Sequence, residues 1–124
     1  MITAQRDQNG IVTLTWDLPG RSQNVLNQES MDAFDAAFKE AANDASVTGV
    51  VITSAKKAFI AGADLAMLER ICAGDQSAAE LSESVGELSR IIRRMETSGK
   101  PVVAAISGTA LGGGMEICLG CHYR

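Results

Sequence analysis

The chain ends in "GTALGGGMEICLGCHYR", residues 108–124, and this segment carries two motifs that predict different proteins. Residues 118–122, Cys-Leu-Gly-Cys-His, match the C-x-x-C-H pattern of covalent haem attachment. Residues 112–114 are all glycine, and Glu116 follows two positions later. A glycine-rich turn of this kind can present backbone N–H groups and a carboxylate to a substrate. The first motif predicts a haem carrier, whereas the second predicts an enzyme.

The haem motif is the less favoured of the two. Covalent haem attachment is typical of exported chains, and residues 1–20 place polar side chains where a signal peptide needs an apolar centre. We therefore predict that Cys118 and Cys121 are small buried packing residues, and we keep a c-type haem-binding protein as an alternative. A structural zinc site takes four ligands, which one cysteine pair and the single histidine do not supply, so no metal site is predicted.

The composition is typical of one globular domain, residues 1–124, with 46% hydrophobic and 21% charged residues. A net charge of -4 argues against a nucleic-acid partner, and no apolar run reaches the roughly 20 residues of a membrane span. We expect a cytoplasmic protein. Its cysteines, Cys72, Cys118 and Cys121, are then expected to be reduced.

Hydrophobic periodicity predicts the element order β-β-α-β-α-α-β-α, and hence an α/β protein with buried central strands. Asn9-Gly10 indicates a hairpin between the first two strands, because both positions tolerate positive φ. The predicted strands cover residues 2–6, 10–16, 49–53 and 101–106, and a further strand is predicted to begin at His122.

Capping signals and apolar stripes predict the helices. Asn27 caps the first helix, whose stripe consists of Met31, Phe34, Phe38, Ala41 and Ala45. Residues 55–68 predict a loop that continues into a short helix. The next helix begins near Ser77, with Glu80 completing a capping box and a stripe of Leu81, Val85, Leu88, Ile92 and Met95. The last helix begins near Gly113.

Two predicted strands are each followed by a glycine-bearing loop, one with Gly62-Ala63 and the other with residues 112–114. Ligands of α/β sheets bind where strand ends of this kind lie side by side. Two N–H groups that converge from such loops form a hole for a developing oxyanion. The glycines could also serve only tight turns or close packing, and Glu116 could only complement a helix dipole. Beside a candidate oxyanion hole, we favour a catalytic role for Glu116, which its apolar neighbours make costly to desolvate.

Other phosphate-binding motifs do not fit these loops. Gly108 and Gly113 have P-loop spacing, but Gly114 stands where a P-loop requires lysine. No spacing after a strand gives the dinucleotide fingerprint G-x-G-x-x-G. We interpret Asp64 as a carboxylate of a first helical turn or N-cap, and Lys56 and Lys57 either as phosphate contacts or as solvated loop residues.

The ordered pair of motifs, "KKAFIAGADLAML" at residues 56–68 and the segment 108–124, resembles the enoyl-CoA hydratase (crotonase) family. "WDLPGRSQNVLN", residues 16–27, is further similar to the hydratase-isomerase segment of multifunctional fatty-acid oxidation α-subunits. The resemblance implies an α/β crotonase-like fold of ββα units in a spiral. It also implies that residues 1–124 are the N-terminal portion of one such domain, which is incomplete.

The resemblance implies enoyl-CoA hydratase activity, the syn addition of water to trans-2-enoyl-CoA to give 3-hydroxyacyl-CoA in fatty-acid β-oxidation. The N–H groups of Ala63 and Gly113 would hold the thioester oxygen, and Glu116 would position and activate water. By the same resemblance, residues 21–26 and 57–61 line the path of coenzyme A. The implied substrate-binding residues are Gly62, Asp64, Gly112, Gly114, Lys57, Ala61 and Val25.

The family resemblance also implies what lies outside these residues. The second catalytic glutamate would lie beyond Arg124, so residues 1–124 alone are expected to have little or no activity. The expected partners are an acyl-CoA thioester and, in the full-length protein, further copies or a thiolase subunit; a dehydrogenase segment could follow. No cofactor is expected, because the substrate itself carries coenzyme A. An enoyl-CoA isomerase, another crotonase-fold acyl-CoA enzyme and a non-catalytic acyl-CoA-binding module remain alternatives.

Overall fold

A computed structural model describes residues 1–74 and 77–124, without the side chains of Ala78, Glu80, Leu81, Ser84 and Val85. The elements are β1 (Ile2–Arg6), β2 (Ile11–Trp16), α1 (Gln28–Asn43), β3 (Gly49–Ser54), α2 (Leu65–Cys72), α3 (Ala78–Glu96), β4 (Val102–Ala104) and α4 (Gly113–Gly120). The predicted element order is therefore confirmed. The predicted capping glutamate Glu80 and the stripe positions Leu81 and Val85 lie outside the described side chains.

The four strands form one sheet in the order β1-β2-β3-β4. β1 pairs with β2 in an antiparallel hairpin, whereas β2, β3 and β4 run parallel. Leu14 lies opposite Ile52, and Ile52 lies opposite Ala104. The parallel strands therefore end at the same edge of the sheet, and the loops that follow them start side by side.

The core forms between the sheet and the helices. Val12, Leu14 and Trp16 alternate along β2 and are all buried, as the period of two requires. The ring of Trp16 packs 5.0 Å from the ring of Phe34 on α1. Further buried apolar residues come from α3 and α4, namely Ile91, Met95, Ile117 and Cys118.

The N-terminus of α1 is fixed by the predicted cap. The Asn27 side chain accepts a hydrogen bond from the Ser30 N–H, and the Ser30 hydroxyl accepts one from the Asn27 N–H, which together form a capping box. The predicted stripe is correct as far as Ala41. The prediction for Ala45 was wrong, because α1 ends at Asn43 and Ala45 is exposed.

Two predicted strand bounds were also wrong. β4 covers only Val102–Ala104, not 101–106, because its pairing with β3 ends where the Ala105 N–H donates to the Ile52 carbonyl at 2.9 Å. Ala105 and Ile106 are exposed. The strand predicted at His122 reduces to one bridge between Val103 and Tyr123. In the part of the chain described, no helix combines the length and apolar character needed to cross a membrane.

Candidate active site

Three loops leave the carboxyl ends of the parallel strands, and we call them the β2 loop (residues 17–27), the β3 loop (residues 55–64) and the β4 loop (residues 105–112). The loops continue the order of the strands by pairing with one another. On one side of the β3 loop, the Ala61 N–H donates to the Asn24 carbonyl at 2.8 Å. On its other side, the Leu111 N–H donates to the Ile60 carbonyl at 3.0 Å. The β3 loop is thus the middle member of the group.

The peptide that joins Gly62 to Ala63 in the β3 loop points opposite to the direction that a regular strand would give it. The Gly62 carbonyl accepts a hydrogen bond from the Leu26 N–H at 2.8 Å. In a trans peptide the N–H points opposite to the carbonyl, so the Ala63 N–H points away from Leu26, toward the side of the β4 loop. Since Ala61 already directs its own N–H to the β2 loop, regular alternation would have sent the Ala63 N–H there too. The left-handed φ of Gly62, 94°, permits the reversal.

Gly113 presents a second N–H from the start of α4. The Gly112 carbonyl accepts from the N–H groups of Met115 and Glu116 at 2.9 and 3.1 Å, so it points into the helix. The Gly113 N–H of the same peptide therefore points out of the helix N-terminus. No side chain caps this end of α4. Within residues 1–74 and 77–124, neither this N–H nor that of Ala63 donates to a backbone acceptor.

The two loops meet at their glycines. A methyl group on Gly112 would lie 3.7 Å from Gly62 Cα, and one on Gly62 would lie 3.4 Å from the Leu111 carbonyl oxygen. The residues that follow these glycines, Ala63 and Gly113, carry the two free N–H groups. The structure therefore brings together the two loops that the sequence analysis paired.

Glu116 lies in the first turn of α4, one turn past the Gly113 N–H. Its side chain is exposed and makes no hydrogen bond or ion pair with the described residues. Met115 and Leu119 are exposed beside it, at 45% and 59%. The expected desolvation of Glu116 is therefore wrong for the described residues: Ile117 and Cys118 are buried, but Glu116 faces outward with Met115 and Leu119.

Comparisons with known proteins agree with this geometry. The family model for enoyl-CoA hydratase/isomerase matches residues 6–124. The chain belongs to this family. It is 44% identical to a fatty acid oxidation complex subunit alpha of Shewanella loihica over 123 residues, covering 98% of this chain and 17% of the relative. A subunit alpha of Pseudomonas syringae is 42% identical, with coverage of 99% and 17%.

Solved structures show the crotonase fold predicted from the resemblance. The enoyl-CoA hydratase of Bacillus halodurans has a TM-score of 0.85 at 31% identity, covering 98% of this chain and 47% of that one. The enoyl-CoA hydratase of Bacillus anthracis has a TM-score of 0.83 at 27% identity, covering 99% and 46%. The chain thus spans just under half of these structures and about one sixth of the complex subunits.

Asp64 caps α2 in this member of the hydratase/isomerase family, as the sequence predicted. Its Oδ1 accepts a hydrogen bond from the Ala66 N–H at 2.9 Å, and the residue is only 6% exposed. Its Oδ2 lies 2.9 Å from Nη2 of Arg21 on the β2 loop, an ion pair in which the N–H is not aligned for a hydrogen bond. Asp64 therefore ties the β3 loop to both α2 and the β2 loop.

Asn24 is a buried residue to which the sequence analysis assigned no role of its own. Its Oδ1 accepts from the Leu18 N–H at 2.9 Å. Its Nδ2 donates to the Trp16 carbonyl and the Ser54 hydroxyl at 2.9 Å, and to the Phe59 carbonyl at 3.3 Å. The only local signal for it was an asparagine in a polar loop, which does not reveal partners up to 35 residues away.

Lys56 and Lys57 differ in their surroundings. The Lys56 ammonium donates to the Arg21 carbonyl at 2.7 Å and pairs with Asp17 at 2.8 Å. The hydrogen bond from Lys56 lowers the pKa of the Asp17 carboxyl. Lys57 is exposed and has no described partner. It lines an open cavity of about 310 Å³ together with Ser22, Gln23, Ala58, Gly108 and Thr109.

The C-x-x-C-H segment forms the last turn of α4 and the residues that follow it. Cys118 and Cys121 are buried, as predicted, and the Cys121 thiol donates to the Ile117 carbonyl at 3.2 Å. Burial raises the pKa of Cys118, and it raises the pKa of Cys121 to about 12. The His122 Nδ1 accepts a hydrogen bond from the Val102 N–H at 3.1 Å. Both thiols and this ring nitrogen therefore serve the packing of α4 against β4.

Proposed function

We propose that residues 1–124 supply the oxyanion hole and one catalytic carboxylate of an enoyl-CoA hydratase. The observation that carries the proposal is the pair of free N–H groups at Ala63 and Gly113, on loops that meet at Gly62 and Gly112. The names of the related proteins, fatty acid oxidation complex subunit alpha and enoyl-CoA hydratase, support it. In this proposal residues 1–124 form the N-terminal portion of a single crotonase-like domain.

The N–H groups act on the thioester carbonyl of trans-2-enoyl-CoA. When water adds to C3, the electron pair of the double bond moves toward the carbonyl and leaves enolate-like charge on the thioester oxygen. Two N–H donors stabilise that charge more than they stabilise the neutral ground state, which lowers the barrier. Because both peptides are fixed by their neighbours, little reorganisation is needed during the reaction.

Glu116 acts on the water molecule. Its carboxylate accepts a proton as the water oxygen bonds to C3, and a second acid beyond Arg124 delivers a proton to C2 on the same face. The product is 3-hydroxyacyl-CoA. Atoms and charge balance without a metal or redox cofactor, because the substrate carries its own activating thioester. Because the Glu116 side chain is exposed, its carboxylate is accessible to a bound ligand.

The remaining site residues bind coenzyme A. Val25 of the β2 loop is half-buried, and Ala61 and Lys57 lie on the adjacent β3 loop. Lys57 is exposed and lines the cavity of about 310 Å³, and in this proposal its ammonium meets a phosphate of coenzyme A. Gly62, Asp64, Gly112 and Gly114 shape the two donor loops. A cytoplasmic setting and assembly with a thiolase subunit or further copies belong to the same proposal.

Substitution of Glu116 in the full-length polypeptide that contains these residues tests the proposal. We expect Glu116→Gln to lower the rate of crotonyl-CoA hydration by about 100- to 10,000-fold, because the amide cannot accept the proton. Crotonyl-CoA binding should persist. Glu29→Gln is the matched control, since Glu29 is exposed in the first turn of α1. Equal rates in the two variants would refute the catalytic role, and loss of binding in Glu116→Gln would point to a binding module.

Isomerisation is the second candidate, because the matching family model covers hydratases and isomerases alike. The same two N–H groups would stabilise the dienolate that forms when a proton leaves C2 of a 3-enoyl-CoA. Measuring hydration of a 2-enoyl-CoA and isomerisation of a 3-enoyl-CoA on one preparation separates the two activities.

A further inference from the structure

A buried carboxylate lies next to the N–H donor of the β3 loop. Asp64 directly follows Ala63, and its side chain is only 8% exposed. Its Oδ1 is held by the Ala66 N–H at the start of α2. The carboxylate is therefore fixed at the start of α2, one residue after Ala63, and cannot move without uncapping the helix.

The charge of Asp64 opposes the reaction proposed for this site. Two like charges repel most strongly where water is excluded, and the thioester oxygen becomes negative beside Ala63. Oxyanion stabilisation would be partly cancelled if the carboxylate were left uncompensated. Among the described residues, the Asp64 Oδ2 receives no hydrogen bond, so its negative charge is offset by its ion-pair partner.

Arg21 supplies that partner from the β2 loop. Its Nη2 lies 2.9 Å from the Asp64 Oδ2, while its own side chain is 56% exposed. The Arg21 carbonyl accepts a hydrogen bond from Lys56 Nζ, and Lys56 is paired in turn with Asp17. The position of Arg21 is thus fixed from the β3 loop at its backbone as well as at its guanidinium.

We propose that Arg21 is a positioning residue of the hydratase site, which neutralises Asp64 so that the oxyanion can form beside Ala63. The inference rests on the proposed function. It differs from a role in binding coenzyme A, in which the guanidinium would contact a phosphate, and from a role in stability alone, in which the ion pair would only join two loops.

A double-mutant cycle in the full-length polypeptide tests this assignment. The variants are Arg21→Gln, Asp64→Asn and the double variant, and crotonyl-CoA hydration gives kcat and KM for each. Asparagine also caps helices, so Asp64→Asn removes the charge and preserves the start of α2. Arg6→Gln is the control, because Arg6 on β1 forms an exposed ion pair at 3.3 Å with Asp44, which follows α1, away from the three loops.

We expect Arg21→Gln to lower kcat about tenfold with little change in KM when Asp64 is present. In the Asp64→Asn background the same substitution should change kcat by less than about twofold, since no charge remains to be neutralised. Arg21→Lys should restore most of the rate, and Arg6→Gln should match the wild type. The inference is overturned if the Arg21→Gln effect is equally large in both backgrounds, or if it appears only as an increase in KM.

A binding measurement separates this inference from the hydratase assignment. Acetoacetyl-CoA forms an enolate whose charge is shared with the thioester oxygen, and its ultraviolet absorbance reports binding. We expect Arg21→Gln to weaken enolate binding about tenfold, and this loss should disappear in the Asp64→Asn background. If the wild type binds the enolate with this coupling but does not hydrate crotonyl-CoA, only the proposed reaction fails. If it hydrates crotonyl-CoA without the coupling, only the role of Arg21 fails.

Discussion

The two loops that present the free N–H groups are held in different ways. The β3 loop, which carries Ala63, is surrounded by polar partners, including the Asn24 amide and the Arg21–Asp64 ion pair. The β4 loop shares backbone hydrogen bonds with the β3 loop, and α4, which carries Gly113, is held by close packing. A methyl group on Gly114 would collide with the Ile60 carbonyl.

The difference follows from how each N–H is freed. An N–H in the middle of paired loops is free only if a peptide is reversed, and hydrogen bonds to its neighbours must fix that reversal. A helix N-terminus leaves its first N–H groups free without any such arrangement. It needs only a close approach of the helix, which glycine allows. The β3 loop should therefore be sensitive to lost polar groups, and the β4 loop to added volume or charge.

The largest effect is expected from Asn24→Ala. We expect the free energy of unfolding to fall by about 3 kcal/mol, because the substitution leaves the buried Leu18 N–H and Phe59 carbonyl without the Asn24 partner. Urea denaturation measures the change. Gln28→Ala is the control, since its amide bonds Glu87 on an exposed surface, and should cost less than about 0.5 kcal/mol. Equal costs would contradict a polar origin for the order of the β3 loop.

Gly62→Ala tests the reversed peptide. Alanine disfavours the φ of 94°, so the peptide should relax and misdirect the Ala63 N–H. We expect kcat for hydration to fall about 100-fold, as for the loss of one oxyanion donor. Gly20→Ala is the matched control, because Gly20 has φ 69° and open space around it. It should share the strain of about 1 kcal/mol and keep its rate within about twofold.

Gly114→Ala tests the packed side of the comparison. The new methyl group meets the Ile60 main chain, so we expect a loss of about 2 kcal/mol in unfolding free energy. Gly86→Ala in α3 is the control, because among the described side chains its methyl group would meet the flexible end of Arg90, at 2.9 Å. It should be neutral or stabilising by up to about 1 kcal/mol. If both variants have the same stability, close packing does not hold α4.

The smallest effect concerns the ionisation of Cys121 at the C-terminus of α4. Burial raises the pKa of Cys121 from 9.0 to about 12, so the folded state keeps a proton that the unfolded state loses above pH 9. The stability is complete below pH 9 and is lost as pH rises toward 12. We expect Cys121 to account for about 1 kcal/mol of the stability lost between pH 8 and pH 10. Cys121→Ala should show a correspondingly shallower decline, and an unchanged decline would mean that the thiol ionises freely in the folded protein.

Local signals in the chain predicted most of the fold. Asn27 was predicted as a helix cap from its residue type and its place before the apolar stripe, and its partner in the structure, Ser30, lies only three residues further on. The alternation in β2 was readable because a strand repeats every two residues. The misplaced end of β4 shows the limit, since residues 105 and 106 are apolar but lie beyond the end of the strand. Hydrophobic periodicity shows which positions are apolar, but it does not show where a strand stops pairing with the strand beside it.

The sequence by itself determined the order of the elements, the caps and the positions of the glycines, because each depends on residues a few positions apart. Only the tertiary structure decided the direction of the Ala63 N–H, since that depends on Leu26 bonding the Gly62 carbonyl from another loop. The pairing of Arg21 with Asp64 and the partners of Asn24 were decided in the same way. These contacts join segments distant in the chain, and polar loop residues have no periodicity that could reveal which of them will meet.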